Sequence, residues 1–266
     1  MRLILAALAL FAAAATAHAE TAAAARYVAM GSSFAAGPGI TPYETSAPAR
    51  CARSTRNYAH QLAARRGLAL VDVSCSGATT AALLRPWGEL PAQIDAVDSA
   101  TRLVTLTIGG NDIGYIGGLF GASCRALGEA KCQPETTPSE ADYAALKAAM
   151  TELARAIRAR APQAGIVFVE YPAVLPPSGA CAATPLSDAA ADAARAKAER
   201  LRAITREAAQ AGDATVLAVS DLSKGHDACA AKPWMNGYPA PGAAPYHPNL
   251  AAMTAIAEAL DKTLPR

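Results

Sequence analysis

Five short runs of this 266-residue chain are apolar almost without interruption, at 26–30, 68–73, 103–108, 165–171 and 214–219. Each is rich in Val, Ile, Leu or Ala and bounded by Gly, Pro, Ser or Asp, the pattern of parallel strands buried on both faces. Between them apolar positions recur every three or four residues, at 55–66, 139–161, 187–211 and 250–263, which predicts helices with one buried stripe. Ser54 and Ser187 stand where N-caps belong, and Pro162 closes the second helix. Strand and helix in alternation specify βαβ units wound into a doubly wound parallel sheet, an α/β fold. No internal repeat or compositional break divides 20–266, so one domain is expected there.

The first residues follow a different pattern. Arg2 precedes an apolar stretch at 3–15, and Ala17-His18-Ala19 completes a cleavage signal, so 1–19 reads as a signal peptide and the protein as secreted or periplasmic. That stretch falls short of the roughly 20 residues a membrane span needs, so no stable membrane insertion is expected. Cys51, the first cysteine, lies too far from the cleavage position for a lipid anchor. With 24 Lys and Arg against 22 Asp and Glu, the net charge is +2 and no basic run tracks phosphates, which excludes a nucleic-acid partner.

Six cysteines in an exported chain suggest three disulfides, for which sequence alone allows 15 pairings. Cys124 and Cys132 bracket a short Gly-containing loop, Cys51 and Cys75 flank one helix–strand unit, and Cys181 and Cys229 then remain. Neither C-x-x-C nor H-x-x-x-H spacing occurs, which argues against structural zinc.

Open α/β sheets bind ligands beyond the carboxyl ends of their strands. Three such ends are small and polar here: Gly31-Ser32-Ser33, Ser74-Cys75-Ser76-Gly77-Ala78 and Gly109-Gly110-Asn111-Asp112. A serine hydroxyl there would need a base to take its proton. Beyond residue 19 the histidines are His60, His226 and His247. His60 falls on the polar side of its helix, away from Tyr58 and Leu62, and reads as a surface residue. His226, in Lys224-Gly225-His226-Asp227, is a competing base. His247, in Pro245-Tyr246-His247-Pro248-Asn249, precedes the last helix on a loop whose prolines restrict its backbone. The N–H groups of Ser33 and Gly77 and the amide of Asn111 could converge on a developing oxyanion. Read singly, Gly77, Gly109 and Gly110 serve tight turns equally well, and Asn111 a cap.

Gly31-Ser32-Ser33-Phe34 with Gly37, Cys75-Ser76-Gly77-Ala78, Ile108-Gly109-Gly110-Asn111-Asp112 and Tyr246-His247-Pro248 resemble, in order and spacing, the four blocks of the SGNH (GDSL) hydrolases. The cysteine layout and Ala231-Lys232-Pro233-Trp234 look most like the secreted three-disulfide lipase and esterase branch of actinomycetes. The resemblance implies a three-layer α/β/α sandwich of flavodoxin-like type with a five-stranded sheet. It implies Ser33 as nucleophile, Gly77 and Asn111 as oxyanion donors and His247 as base. The activity implied is hydrolysis of a small-molecule or lipid ester by a monomer that needs no cofactor and no metal. A carbohydrate acetylesterase or phospholipase of the same fold is the alternative, and a catalytically silent surface-binding protein the rival from another class.

Two positions depart from the family pattern. Ser32 replaces the usual Asp of Gly-Asp-Ser, and Ala244 stands where an Asp commonly precedes the histidine by three residues. Asp221 and Asp227 lack the family spacing to His247, so a Ser33–His247 dyad is expected, its imidazole held by the backbone carbonyl of Ala244. The G-x-S-x-G elbow is absent because residue 35 is Ala, which argues against an α/β-hydrolase. The loops expected at 114–122 and 175–183 would wall the acyl site, with Leu119, Phe120, Val174 and Leu175 as groove or core.

Overall fold

The computed structural model describes residues 24–265, so the leader expected at 1–19 lies outside the described residues. Strands β1 (Arg26–Gly31), β2 (Ala69–Asp72), β3 (Thr101–Thr107), β4 (Gly165–Val169) and β5 (Thr215–Leu217) form one sheet in the order β2-β1-β3-β4-β5. Every pairing is parallel, with Val28 opposite both Val71 and Val104, and Val104 opposite Ile166. The expected five-stranded flavodoxin-like sheet is therefore present.

Side chains alternate across the pleat, so each central strand feeds two cores. Val28, Met30, Val104, Leu106, Ile166 and Phe168 pack beneath α3 (Thr80–Leu84), α4 (Tyr115–Ala126), α5 (Glu140–Arg160) and α6 (Asp188–Ala211). Tyr27, Ala29, Leu103, Val167 and Val169 face α2 (Tyr58–Arg66) and α8 (Leu250–Thr263) on the other side. Two fully buried tyrosines on this second face satisfy their hydroxyls on β3 threonines: Tyr27 with Thr105 at 2.6 Å and Tyr58 with Thr107 at 3.2 Å. Such partners are what make a phenol tolerable in a core.

Helix ends follow local chemistry. Ser139 and Asp142 form a capping box at α5, Ser187 caps α6, and Asn249 caps α8 by accepting from the Ala252 N–H at 3.2 Å. Helix α2 starts at Tyr58 rather than at 55. Its cap is Asn57, whose Oδ1 accepts from the His60 N–H at 3.1 Å, while Ser54 Oγ closes only a turn with the Arg56 N–H. Strand β5 stops at Leu217 because Val219–Leu222 coils into the one-turn helix α7.

The segment expected to be a loop at 114–122 is instead most of α4, despite Gly117, Gly118 and Gly121. These glycines serve packing: a Cβ on Gly121 would lie 2.5 Å from the Gln133 carbonyl. The disulfide Cys124–Cys132 holds that returning chain in place, and Cys51–Cys75 and Cys181–Cys229 complete the expected set. Of the four residues singled out as possible groove walls, Leu119, Val174 and Leu175 are core, and Phe120 is partly buried against the same cluster.

Candidate active site

In the order β2-β1-β3-β4-β5 the chain winds outward in opposite directions on either side of the β1/β3 boundary, and a crevice opens there above the carboxyl ends. Gly31 ends β1 at φ +130°, a conformation that favours glycine, and a Cβ there would lie 2.5 Å from the Thr107 carbonyl. The chain therefore hugs β3 and then turns at once into α1 (Ser33–Ala36), with Ser33 as its first residue. Gln93 fastens the turn from below: its Oε1 accepts from Gly31 N–H at 2.7 Å and its Nε2 donates to the Gly31 carbonyl at 3.0 Å.

Ser33 Oγ lies 2.8 Å from Nε2 of His247, 214 residues away in sequence, and both residues are buried. Nδ1 of the same ring is 2.7 Å from the Pro245 carbonyl. A carbonyl only accepts, so Nδ1 carries the proton and Nε2 is left with a lone pair facing the Ser33 hydroxyl. Burial lowers the His247 pKa from its ordinary value to about 4, with the Pro245 hydrogen bond opposing, so the imidazole is neutral at pH 7.

The carbonyl that orients the ring is thus Pro245, not Ala244. Tyr246 sits in the left-handed region at φ +53°, which folds the chain so that the imidazole reaches two residues back. The Ala244 carbonyl is occupied otherwise, by Asn236 Nδ2 at 2.9 Å and by the His247 N–H at 3.3 Å. The loop is clamped further where Asn236 N–H donates to the His247 carbonyl at 3.0 Å and Tyr246 bonds Ser123 through its hydroxyl. Phe34 and Phe120 lie beside the imidazole, with ring centroids 5.1 and 6.1 Å away.

Asn111 and Gly77 occupy the neighbouring strand ends. Asn111 Nδ2 donates to the Ala78 carbonyl at 2.8 Å, which spends one amide hydrogen and leaves the other for a ligand. One residue on, the Asp112 carboxylate accepts from the N–H and hydroxyl of Thr80 at 3.0 and 2.6 Å, so the turn carrying Gly77 and the turn carrying Asn111 are bolted together. Gly77 itself adopts φ +86°.

The sequence profile of the GDSL-like lipase/acylhydrolase family matches residues 29–255, a span that takes in all four of these strand-end and loop segments. The chain belongs to the GDSL-like lipase/acylhydrolase family. It is 35% identical to lipase 2 of Streptomyces coelicolor, an alignment covering 92% of this chain and 88% of that one. Its fold superposes on the extracellular lipase of Streptomyces rimosus with a TM-score of 0.75 at 28% identity, covering 91% of this chain and 100% of that one. Phospholipase A1 of Streptomyces albidoflavus NA297 gives 0.74 at 26% identity over the same shares. The enzyme is a carboxylic-ester hydrolase of the lipase and esterase type.

The other histidines of this GDSL hydrolase lie elsewhere. His226 stacks on Trp234 at 4.3 Å and its Nδ1 faces the Lys232 carbonyl at 2.8 Å, so it braces the segment whose Trp234 carbonyl accepts from the Asn249 N–H. His60 is not the surface residue its helical position suggests. It is half-buried, with Nε2 3.0 Å from Glu44 Oε1 and Nδ1 3.0 Å from Asn57 Oδ1. Glu44, His60 and Asp72 approach closely enough to hold a metal, but Arg53 already donates to Glu44 at 2.9 Å and stands 3.7 Å from Asp72. A cation is built in, and the cluster reads as a partly buried ion-pair network. Asp221 pairs with Lys224 and Arg206, and Asp227 accepts from the Cys229 N–H.

Sequence reasoning missed Gln93 and Tyr171. Tyr171 lies just past β4, with its hydroxyl 3.2 Å from Ser32 Oγ and its ring 4.4 Å from Phe34. Neither residue falls in a recognisable block; Tyr171 stands at the tip of a strand-like run, and Gln93, in the turn ahead of the third run, carries no such mark.

Proposed function

We propose that the protein is an exported serine esterase or lipase that works through an acyl-enzyme on a Ser33–His247 dyad. The observation that carries the reading is the 2.8 Å contact between Ser33 Oγ and His247 Nε2, with Nδ1 of the imidazole committed to the Pro245 carbonyl. In acylation Ser33 Oγ bonds to the substrate carbonyl carbon as its proton passes to Nε2. The carbonyl oxygen becomes an oxyanion facing the N–H groups of Ser33 and Gly77 and the free amide hydrogen of Asn111. Collapse breaks the ester C–O bond, and Nε2 returns the proton to the departing alcohol. Water repeats the sequence in deacylation, giving its proton to Nε2 and releasing the acid and Ser33. The imidazolium formed at each step keeps its Nδ1–H on Pro245, the role a carboxylate plays in a triad.

The substrate class follows the relatives' names, a lipase and a phospholipase A1, and the aromatic side chains beside His247 suit an apolar acyl group. Three disulfides and the leader at 1–19 support export. A fluorophosphonate probe followed by peptide mapping tests the reading: label is expected on Ser33, and label on Ser32 would overturn it. Rates across p-nitrophenyl acyl esters, phospholipid and acetylated sugars would then fix the class, with acetyl-sugar preference pointing to the carbohydrate esterase instead.

A further inference from the structure

Tyr171 touches both turns on which the proposed chemistry depends. Its hydroxyl accepts from the Gly110 N–H at 3.1 Å and lies 3.2 Å from Ser32 Oγ, while Ser32 Oγ lies 3.4 Å from the Thr107 carbonyl. That carbonyl can only accept, so Ser32 donates to it and the phenol in turn donates to Ser32. The result is a directed chain from Gly110 N–H through Tyr171 and Ser32 to the end of β3. Burial pushes the phenol up to about 12, so it keeps the proton this chain needs.

The fit on the Gly110 side is close. A Cβ on Gly110 would lie 2.7 Å from the Tyr171 hydroxyl oxygen and 2.9 Å from the ring, so the glycine leaves the space the phenol fills. The ring also packs 4.4 Å from Phe34, which is 5.1 Å from His247. Ser32 immediately precedes Ser33, and Gly110 immediately precedes Asn111. One side chain from just past β4 thus spans the residue before the serine and the residue before the amide. It does so at the position where this chain has Ser32 in place of the aspartate of its family's first block.

We infer that Tyr171 is a positioning residue that, paired with Ser32, sets the spacing between Ser33 and Asn111. The inference rests on the reading of Ser33 and Asn111 given above. An aspartate at position 32 could only accept, whereas a serine accepts from Tyr171 and donates to Thr107. The pair therefore ties β1, β3 and β4 together with neutral groups and places no carboxylate beside the nucleophile. Displacement by a fraction of an ångström weakens bonds made only to the tetrahedral intermediate and leaves ground-state binding alone.

The test compares Tyr171→Phe, Ser32→Ala and the double variant, with kcat normalised to sites titrated by a fluorophosphonate. Tyr171→Phe is expected to lower kcat about tenfold and Ser32→Ala about fivefold, with KM unchanged within twofold. The double variant should be no worse than about twofold below Tyr171→Phe, because both changes cut the same chain. An alkylboronic acid, whose adduct is tetrahedral, should bind each variant more weakly by the factor lost in kcat. A side chain that merely stabilised the fold would lower the melting temperature and the number of titrated sites, not kcat per site. If Tyr171→Phe fails to fold, Ser32→Ala cuts the same bond from its other end and carries the test. Unchanged kcat per site, fully additive losses or a loss confined to KM would overturn the inference while labelled Ser33 keeps the proposed function. No label on Ser33 in the unmodified protein would overturn both.

Discussion

His247 and His60 each hold both ring nitrogens against oxygen partners, yet their surroundings are opposite in kind. His247 faces a backbone carbonyl and a hydroxyl, with aromatic rings beside it. His60 faces the Glu44 carboxylate and the Asn57 amide oxygen, with Asp72 and Arg53 close behind. Neutral partners in a water-poor pocket leave one imidazole with a free lone pair and a place to put a proton, which is what a general base requires. Carboxylates on the other side of α2 make the second imidazole a strut. Burial and hydrogen bonding are common to both regions, so neither property alone distinguishes a base from a brace; the charge of the partners does.

The largest losses are expected at the imidazole with neutral partners and at the serine it faces. Removing His247 or Ser33 by substitution with Ala should lower kcat by on the order of 10⁵–10⁶, the loss seen when either member of a coupled nucleophile–base pair is deleted. Asp221→Asn and Asp227→Asn should each stay within about tenfold, less than ~1.4 kcal/mol of transition-state stabilisation. An aspartate variant as inactive as His247→Ala in the same ester assay would mean that a carboxylate stands behind the imidazole after all.

Next in size is the amide proposed to face the oxyanion. Asn111→Ala should reduce kcat by about 10²–10³ with KM nearly constant, since the hydrogen bond it loses forms only as charge develops. A rise in KM at constant kcat would make Asn111 a ground-state contact.

A pH profile sharpens the contrast further. The base must be neutral to act, and burial holds His247 near 4, so kcat/KM should stay level from pH 8 to about 5 and fall roughly tenfold per unit below about 4. An acid limb at the ordinary histidine value near 6.5 would show that the imidazole is wetter than the fold implies. Acidification from about pH 6.5 to about 4 should also destabilise the fold, because the unfolded imidazole binds a proton in that window that the folded one resists; below about 4 both states are protonated and no further loss is expected.

The smallest effect belongs to His60→Gln. Activity should remain within about threefold, while the melting temperature drops by about 2–6 °C, as expected for roughly 1–2 kcal/mol in a chain of this size. A loss of kcat larger than tenfold with the melting point unmoved would give His60 a part in catalysis.

Most of the fold is legible from periodicity, because parallel strands and amphipathic helices write period and length into the sequence. The five apolar runs became five strands and the four periodic segments four helices, with ends shifted by a few residues. Helix α4 was hidden by its glycines: their cost in helix propensity is offset by close contact with the Gln133 segment, which only the folded chain brings near. His60 was misread for a similar reason, since a helical wheel shows which side of α2 is polar but not that Glu44 and Asp72 cover it. The switch from the Ala244 carbonyl to that of Pro245 turns on one left-handed residue, Tyr246, where nothing but a backbone angle decides. Gln93 escaped because its partners are the backbone groups of Gly31, 62 residues away, which have no identity in the sequence, and Tyr171 because it bonds the Gly110 N–H and the Ser32 hydroxyl, 61 and 139 residues away.

The serine and the imidazole that meet at the centre of this protein come from opposite ends of its chain. The imidazole is placed by the loop that leads into α8, and α8 is latched onto α2 by Arg66, which bonds Asp261 at 2.7 Å and the Leu264 carbonyl at 2.9 Å, and by Arg65 with Glu258 at 3.0 Å. A chain emerging from the ribosome presents Ser33 214 residues before the imidazole it meets. On the proposed dyad, a copy that stops short of His247 would hold a serine with nothing to deprotonate it. On that reading esterase activity would report that synthesis and folding have both reached α8.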